Sequence, residues 1–156
     1  MASIVKNLIE ISGLADTLPQ NPTAFKQFTV QETLELPVAK PDIEQIVKVV
    51  AEVVITSIRV IRTPVGTSLE GQVLTGFKLV VEGEVRQKIE YVADECTQSV
   101  HAAHFNIPFS TFIVLPGSFI VGTPVTVTGY IEDIFVEMIN KRSIFKNVTI
   151  LLDATF

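Results

Sequence analysis

Apolar residues recur at every second position through much of this chain, which is the period of a β-strand rather than of a helix. Between Val47 and Ile55 the odd positions are Val47, Val49, Ala51, Val53 and Ile55, while Lys48, Glu52 and Thr56 take even ones. The parity changes near Ser57–Ile58, as a β-bulge would cause. From Val73 to Tyr91 the apolar set Val73, Phe77, Leu79, Val81, Val85, Ile89 and Tyr91 stays odd, with Lys78, Glu82, Glu84, Arg86, Lys88 and Glu90 on even positions. A two-residue hairpin loop at Glu82–Gly83 would switch that parity. The pattern therefore predicts one long strand bent at Gly83, with a three-residue hairpin loop as the alternative.

Three more faces follow: Ala103, Phe105, Ile107 and Phe109; Val125, Val127, Ile131 and Phe135; and Ile144, Val148, Ile150 and Leu152. Pro64-Val65-Gly66, Pro116-Gly117, Gly122-Thr123-Pro124 and Asn140-Lys141 supply turn chemistry between strands. One helical turn is expected at Pro41–Ile46, where proline and acids sit at the start. The beginning of the chain is ambiguous. Ile4, Val5, Leu8 and Ile9 have helical spacing, whereas Ile9 and Ile11 flank Glu10 as in a strand. Asp16–Pro22, with Pro19 and Pro22, reads as an extended linker. The expected organisation is an arm and linker over residues 1–22 and a β domain over 23–156. The fold class is all-β: a twisted β-sandwich with an N-terminal arm and at most a short helical turn.

Composition narrows the function. Only 19% of residues are charged, below the usual share of about 25%, so copies repel one another weakly. The net charge is −5 and the longest basic run is Lys141-Arg142, which argues against nucleic acid as a partner. No uncharged apolar run reaches the length of about 18 residues needed to span a membrane. Met1–Lys6 does not resemble a secretory signal, so synthesis and initial retention inside the cell are expected. Cys96 is the only cysteine; no intrachain disulfide can form, and an intermolecular one stays open.

Little in the chain suggests catalysis or cofactor binding. His101 and His104 are three apart, so on a strand they face opposite ways and cannot share a metal ion. Cys96 with either histidine lacks an orienting Asn or Asp motif. The scattered glycines Gly66, Gly71, Gly76 and Gly83 form no phosphate cradle. Asn147-Val148-Thr149 is a chance glycosylation triplet on a strand, and Glu132, Asp133 and Glu137 read as a solvated edge. Phe105, Phe109, Phe112 and Phe119 read most simply as core. One stretch stands apart: Cys96–Ile131 contains no Lys, Arg, Asp or Glu. It is either a buried hairpin or a surface that another subunit covers.

Several segments carry a resemblance. They are Lys40-Pro41-Asp42-Ile43-Glu44-Gln45-Ile46, Lys88-Ile89-Glu90-Tyr91-Val92-Ala93-Asp94, Val100-His101, Pro108-Phe109-Ser110-Thr111-Phe112, Ile131-Glu132-Asp133-Ile134 and Ile144-Phe145-Lys146-Asn147-Val148. Together, from about Phe25 to Asp153, they resemble the SPOCS domain of bacterial spore-coat proteins. The resemblance implies a place in the endospore coat or on the spore surface, contacts with other spore-coat proteins, and no catalytic residues. Many relatives carry tandem copies or a LysM module that binds wall glycan. One copy and no LysM segment are seen here, so a stand-alone building block is expected.

The expected function is thus structural self-assembly, as filaments or tubes, with the chain itself as first partner and no cofactor. The alternative is a β-sandwich module that binds a ligand or glycan. Such a site would want exposed Trp or Tyr platforms, and the chain has no Trp and only Tyr91 and Tyr130. The expected interface is Ile4, Val5, Leu8, Ile9 and Ile11 of the arm with Phe112 and Phe119. The arm would add a strand to a neighbour's sheet edge; the other possibility is that it folds back on its own domain.

Overall fold

The computed structural model describes residues 2–156. Among these residues the chain forms β1 (Ala2–Lys6), β2 (Ile9–Leu14), β3 (Ala24–Glu35), β4 (Ile43–Thr67), β5 (Val73–Ala93), β6 (Val100–Val114), β7 (Thr126–Met138) and β8 (Ser143–Thr155), with no helix. One sheet has the order β1-β2-β4-β5-β6 and the other β3-β8-β7. All pairs are antiparallel except β2 with β4. The two sheets pack as the expected β-sandwich.

The core lies between the alternating rows read from the sequence. Leu79, Val81, Val85, Ile89, Tyr91 and Ala93 of β5 are buried, and so are Ile144, Val148, Ile150 and Leu152 of β8. Each large side chain removed from water contributes roughly 1.5–3 kcal/mol before ordering costs. Strand β5 is continuous through Gly83, as the conserved parity required. A Cβ at Gly83 would lie 2.5 Å from the Val54 carbonyl oxygen and 2.7 Å from the Phe109 ring. The missing side chain makes room for Phe109, which meets Phe28 of the opposite sheet edge-on at 5.2 Å. The bulge foreseen near Ser57 falls between Ile55 and Ser57.

Two local expectations are corrected. Pro41–Ile46 is not a helical turn: β4 begins at Ile43. The Tyr91 hydroxyl donates to the Pro41 carbonyl at 2.8 Å, and the Ile43 N–H donates to the Lys141 carbonyl at 2.8 Å. A lone helical turn is too weakly favoured to compete with such ties. Phe135 does not share the inner face of β7. A bulge between Ile131 and Asp133 reverses the parity, so Ile134 is buried and Phe135 turns outward.

The arm is strand, and it lies on its own domain. Strands β1 and β2 form a hairpin whose two central residues, Asn7 and Leu8, both have positive φ, at 51° and 65°, as a tight hairpin turn demands. Ile11 pairs with Val49 of β4 and is buried. At Gly13 the chain leaves β4 for the other sheet. Its φ is +114°, and a Cβ would fall 2.0 Å from the Ala51 carbonyl oxygen. Two residues later the Ala15 N–H donates to the Ile131 carbonyl of β7 at 2.9 Å. The arm therefore ties the two sheets together along one side.

The inner row of β8 contains one residue that the periodicity does not explain. Lys146 sits between Ile144 and Val148, is 1% exposed, and its Nζ has no hydrogen-bond partner among the described residues. Gln87, in the inner row of β5, is also buried with its Oε1 unpaired. Burial pushes the Lys146 ammonium down to about 7, because desolvation penalises the charged form.

Two predictions follow from these positions. Gly13→Ala should lower stability by roughly 2–4 kcal/mol, measured by urea denaturation, since both φ and the Ala51 carbonyl oppose a side chain. Lys146→Met should raise stability at neutral pH by an amount on the order of a few kcal/mol. In the unfolded chain the lysine keeps a value near 10.5. Between about pH 7 and that value the unfolded state holds a proton that the folded state lacks, so native stability rises with pH across this window. Melting curves should show the Met variant's advantage full below pH 7 and fading toward pH 10.

Candidate functional site

Lys40–Asp42 and Asp94, from two of the segments that carry the resemblance, are held in a clasp at one end of the sandwich. Arg142, in the turn between β7 and β8, donates to the carbonyls of Lys40 at 2.9 Å and Pro37 at 2.8 Å, and to Asp42 Oδ1 at 2.9 Å. The Leu36 N–H donates back to the Arg142 carbonyl at 2.9 Å. Lys141 pairs with Asp94, which holds its ammonium above the usual value. Planar guanidinium geometry suits this convergence of carbonyls and a carboxylate. The Lys40-Pro41-Asp42 segment is thus held as structure, its three carbonyls accepting from Arg142, Tyr91 and the Asp94 N–H.

The candidate chemical groups do not converge. His101 stacks on Tyr91 at 5.9 Å between centroids, lies 3.0 Å from Ser99 Oγ, and is 3.6 Å from a Glu95 oxygen. Bonds from Ser99 above all hold the Glu95 carboxyl below its ordinary value. His104 is exposed on the opposite face of β6, as the three-residue spacing required. Cys96 is exposed in the β5–β6 turn. Among the described residues no three His, Cys, Asp or Glu side chains are grouped to hold an ion. A cleft of about 340 Å³ lies where the arm crosses between sheets, lined chiefly by Gly13–Thr17, Ala51–Val53 and Gly129–Ile131, with Tyr130 as its only aromatic residue.

The distinctive surfaces are strand edges. The uncharged stretch splits into two environments. Its first half is β6, the outer strand of the larger sheet, 15 residues long. Ala103 and Ile113 face the core while Val100 is 64% exposed. An edge strand without charge lacks a common defence against pairing with other chains, although Pro108 removes one backbone donor. The second half is a loop that tucks Phe119 against Phe77 and Phe156, at 5.7 and 5.3 Å, and leaves Ile120 and Val121 exposed.

The expected interface residues are dispersed accordingly. Ile4, Val5 and Leu8 are exposed on the β1–β2 hairpin, and Ile9 is half-buried. Ile11 and Phe119 belong to the core and are unavailable to a neighbour. Phe112 is half-buried between the ammonium groups of Lys26 and Lys78, 4.4 and 4.1 Å from its ring centroid. Sequence reading missed the free edge of β4. Pairing with β2 ends at Val50, while β4 continues to Thr67 with Ile58, Val60, Ile61 and Val65 exposed. The available signal was an apolar run, Ile58, Val60 and Ile61, that occupies both parities at once.

This geometry defines a class: a β-sandwich with long, unpaired strand edges, of which that of β6 carries no charge. The comparisons then place the chain. A match to the family described as SipL, SPOCS domain spans residues 42–139, more than half of the chain, and the protein belongs to that family. The matched region starts at the clasped Asp42 and ends just after β7; β3 and β8 lie outside it. Membership points to a sporulation-related role. No match was found among curated proteins or among solved structures. No helix among the described residues is long and apolar enough to cross a membrane.

The clasp yields a prediction. Arg142→Ala should destabilise the fold by roughly 2–3 kcal/mol, because the Lys40 and Pro37 carbonyls and Asp42 lose a charged donor together. Chemical denaturation checks it, and Arg142→Lys should recover only part of the loss.

Proposed function

We propose that this protein is a non-enzymatic structural unit of the endospore coat or spore surface that assembles with copies of itself into extended polymers. The observation that carries the reading is the unpaired edge of β4 beyond Ser57, with exposed apolar residues on both faces. An exposed edge of that length offers a row of backbone donors and acceptors to another strand. The low charge and the uncharged β6 edge add support, and the family supplies the sporulation setting. Other spore-coat proteins are the natural second class of partner. Cofactors, nucleic acid and membranes have no part in the proposal.

A pairing between two different edges need not close, and a contact that does not close gives a filament. Sedimentation velocity combined with negative-stain microscopy tests this. The purified protein at high micromolar concentration should form polymers, and monomer alone would refute self-assembly. Replacing Cys96, His101 and His104 together by Ala should leave the polymers unchanged.

A further inference from the structure

The free edge of β4 has a specific complement on the same molecule. We infer that Arg59–Arg62 of one copy pairs antiparallel with Glu32–Glu35 on the free edge of β3 of the next. This rests on the self-assembly reading and names its contact.

Strand β3 is an outer strand of the smaller sheet, bonded only to β8. Its end carries Glu32 and Glu35, both exposed. The overhanging part of β4 carries Arg59 and Arg62, also exposed. Arg62 and Glu32 have no ion pair among the described residues, and Arg59 has only a 3.5 Å contact with Glu82. The acids and the arginines have the same spacing, so one antiparallel register satisfies both: Arg59 opposite Glu35 and Arg62 opposite Glu32.

That register also matches the faces. Beyond the bulge, Ile58, Val60 and Arg62 lie opposite Val81, Leu79 and Phe77 of β5, which places them on the core-side face. On β3, Leu34 is buried on the core side, and Glu32 and Leu36 share its parity. The pairing therefore sets Val60 opposite Leu34 and Arg62 opposite Glu32 on one face. Arg59 meets Glu35 and Ile61 meets Thr33 on the other. Opposite charges and apolar pairs across strands stabilise a ladder.

The symmetric alternative is disfavoured by the same rule. Two β4 edges paired antiparallel about Val60 would set Arg59 opposite Ile61 and Arg62 opposite Ile58 twice, so no arginine would gain an opposite charge. The β6 edge offers no charge to specify a register. Joining β4 to β3 is head-to-tail, so an assembled pair keeps one β4 edge and one β3 edge free at its ends and growth continues.

Charge reversal tests the inference. One variant carries Arg59→Glu and Arg62→Glu; the other carries Glu32→Lys and Glu35→Lys. Each alone should need at least about tenfold more protein to polymerise than the native chain, while a one-to-one mixture should recover near-native assembly. Circular dichroism confirms that each variant is folded. Because Glu35 also accepts a hydrogen bond from Ser143, a second measurement avoids dependence on that variant. In a Cys96→Ser background, Ile61→Cys and Thr33→Cys proteins should form a disulfide dimer when mixed and not separately. A native chain that stays monomeric overturns the self-assembly reading itself. Native polymers with unaffected charge variants, or with no selective cross-link in the mixture, overturn the β4–β3 contact alone.

Discussion

Strands β7 and β8 are 13 residues long, whereas β4 and β5 run for 25 and 21. At about 3.3 Å per residue, β4 reaches roughly 80 Å, about twice the length of the smaller sheet. A sheet is stable where one face is covered, and the smaller sheet can cover only part of the larger one. The covered part is the core built on β5 and β8. The uncovered part is the ribbon from Ser57 outward, and its exposed apolar residues are a direct result of that mismatch.

The covered part is held by a few polar and backbone devices as well as by apolar packing. Arg142 clasps one end by drawing the Leu36–Asp42 segment onto the β7–β8 turn. Gly13 lets the arm pass within van der Waals range of β4 and join β7 through Ala15. Lys146 works against these contributions, since its amine is desolvated without a hydrogen-bond partner among the described residues. The body is thus closed along the arm side, while β3, the part of β4 beyond Val50, and β6 keep edges that no strand among the described residues pairs. The proposed polymer uses the first two.

Much of the fold was legible in the residues because a half-buried strand must alternate. The rows on β5 and β8, the bulge before Ile58 and the continuity through Gly83 all follow from parity. The same reasoning failed where parity was broken by something the row could not reveal. The β7 bulge moved Phe135 out and Ile134 in, and Lys146 occupies an inner position that its charge would normally forbid. Pro41–Ile46 looked like a helix start because proline and acids favour one locally, yet hydrogen bonds to Tyr91 and Lys141 from distant parts of the chain hold it extended.

The candidate surfaces divide in the same way. From sequence alone came the strand-rich class, the poverty of charge, the separation of His101 from His104 and the family signature, all of which depend on composition or on neighbours along one strand. Only the tertiary structure decided that Ile11 is core, that the arm rests on its own domain, and that β4 outruns its cover. Those outcomes depend on which strands become neighbours and how far each sheet extends. Pairing between strands distant in sequence sets both, and no local periodicity records it.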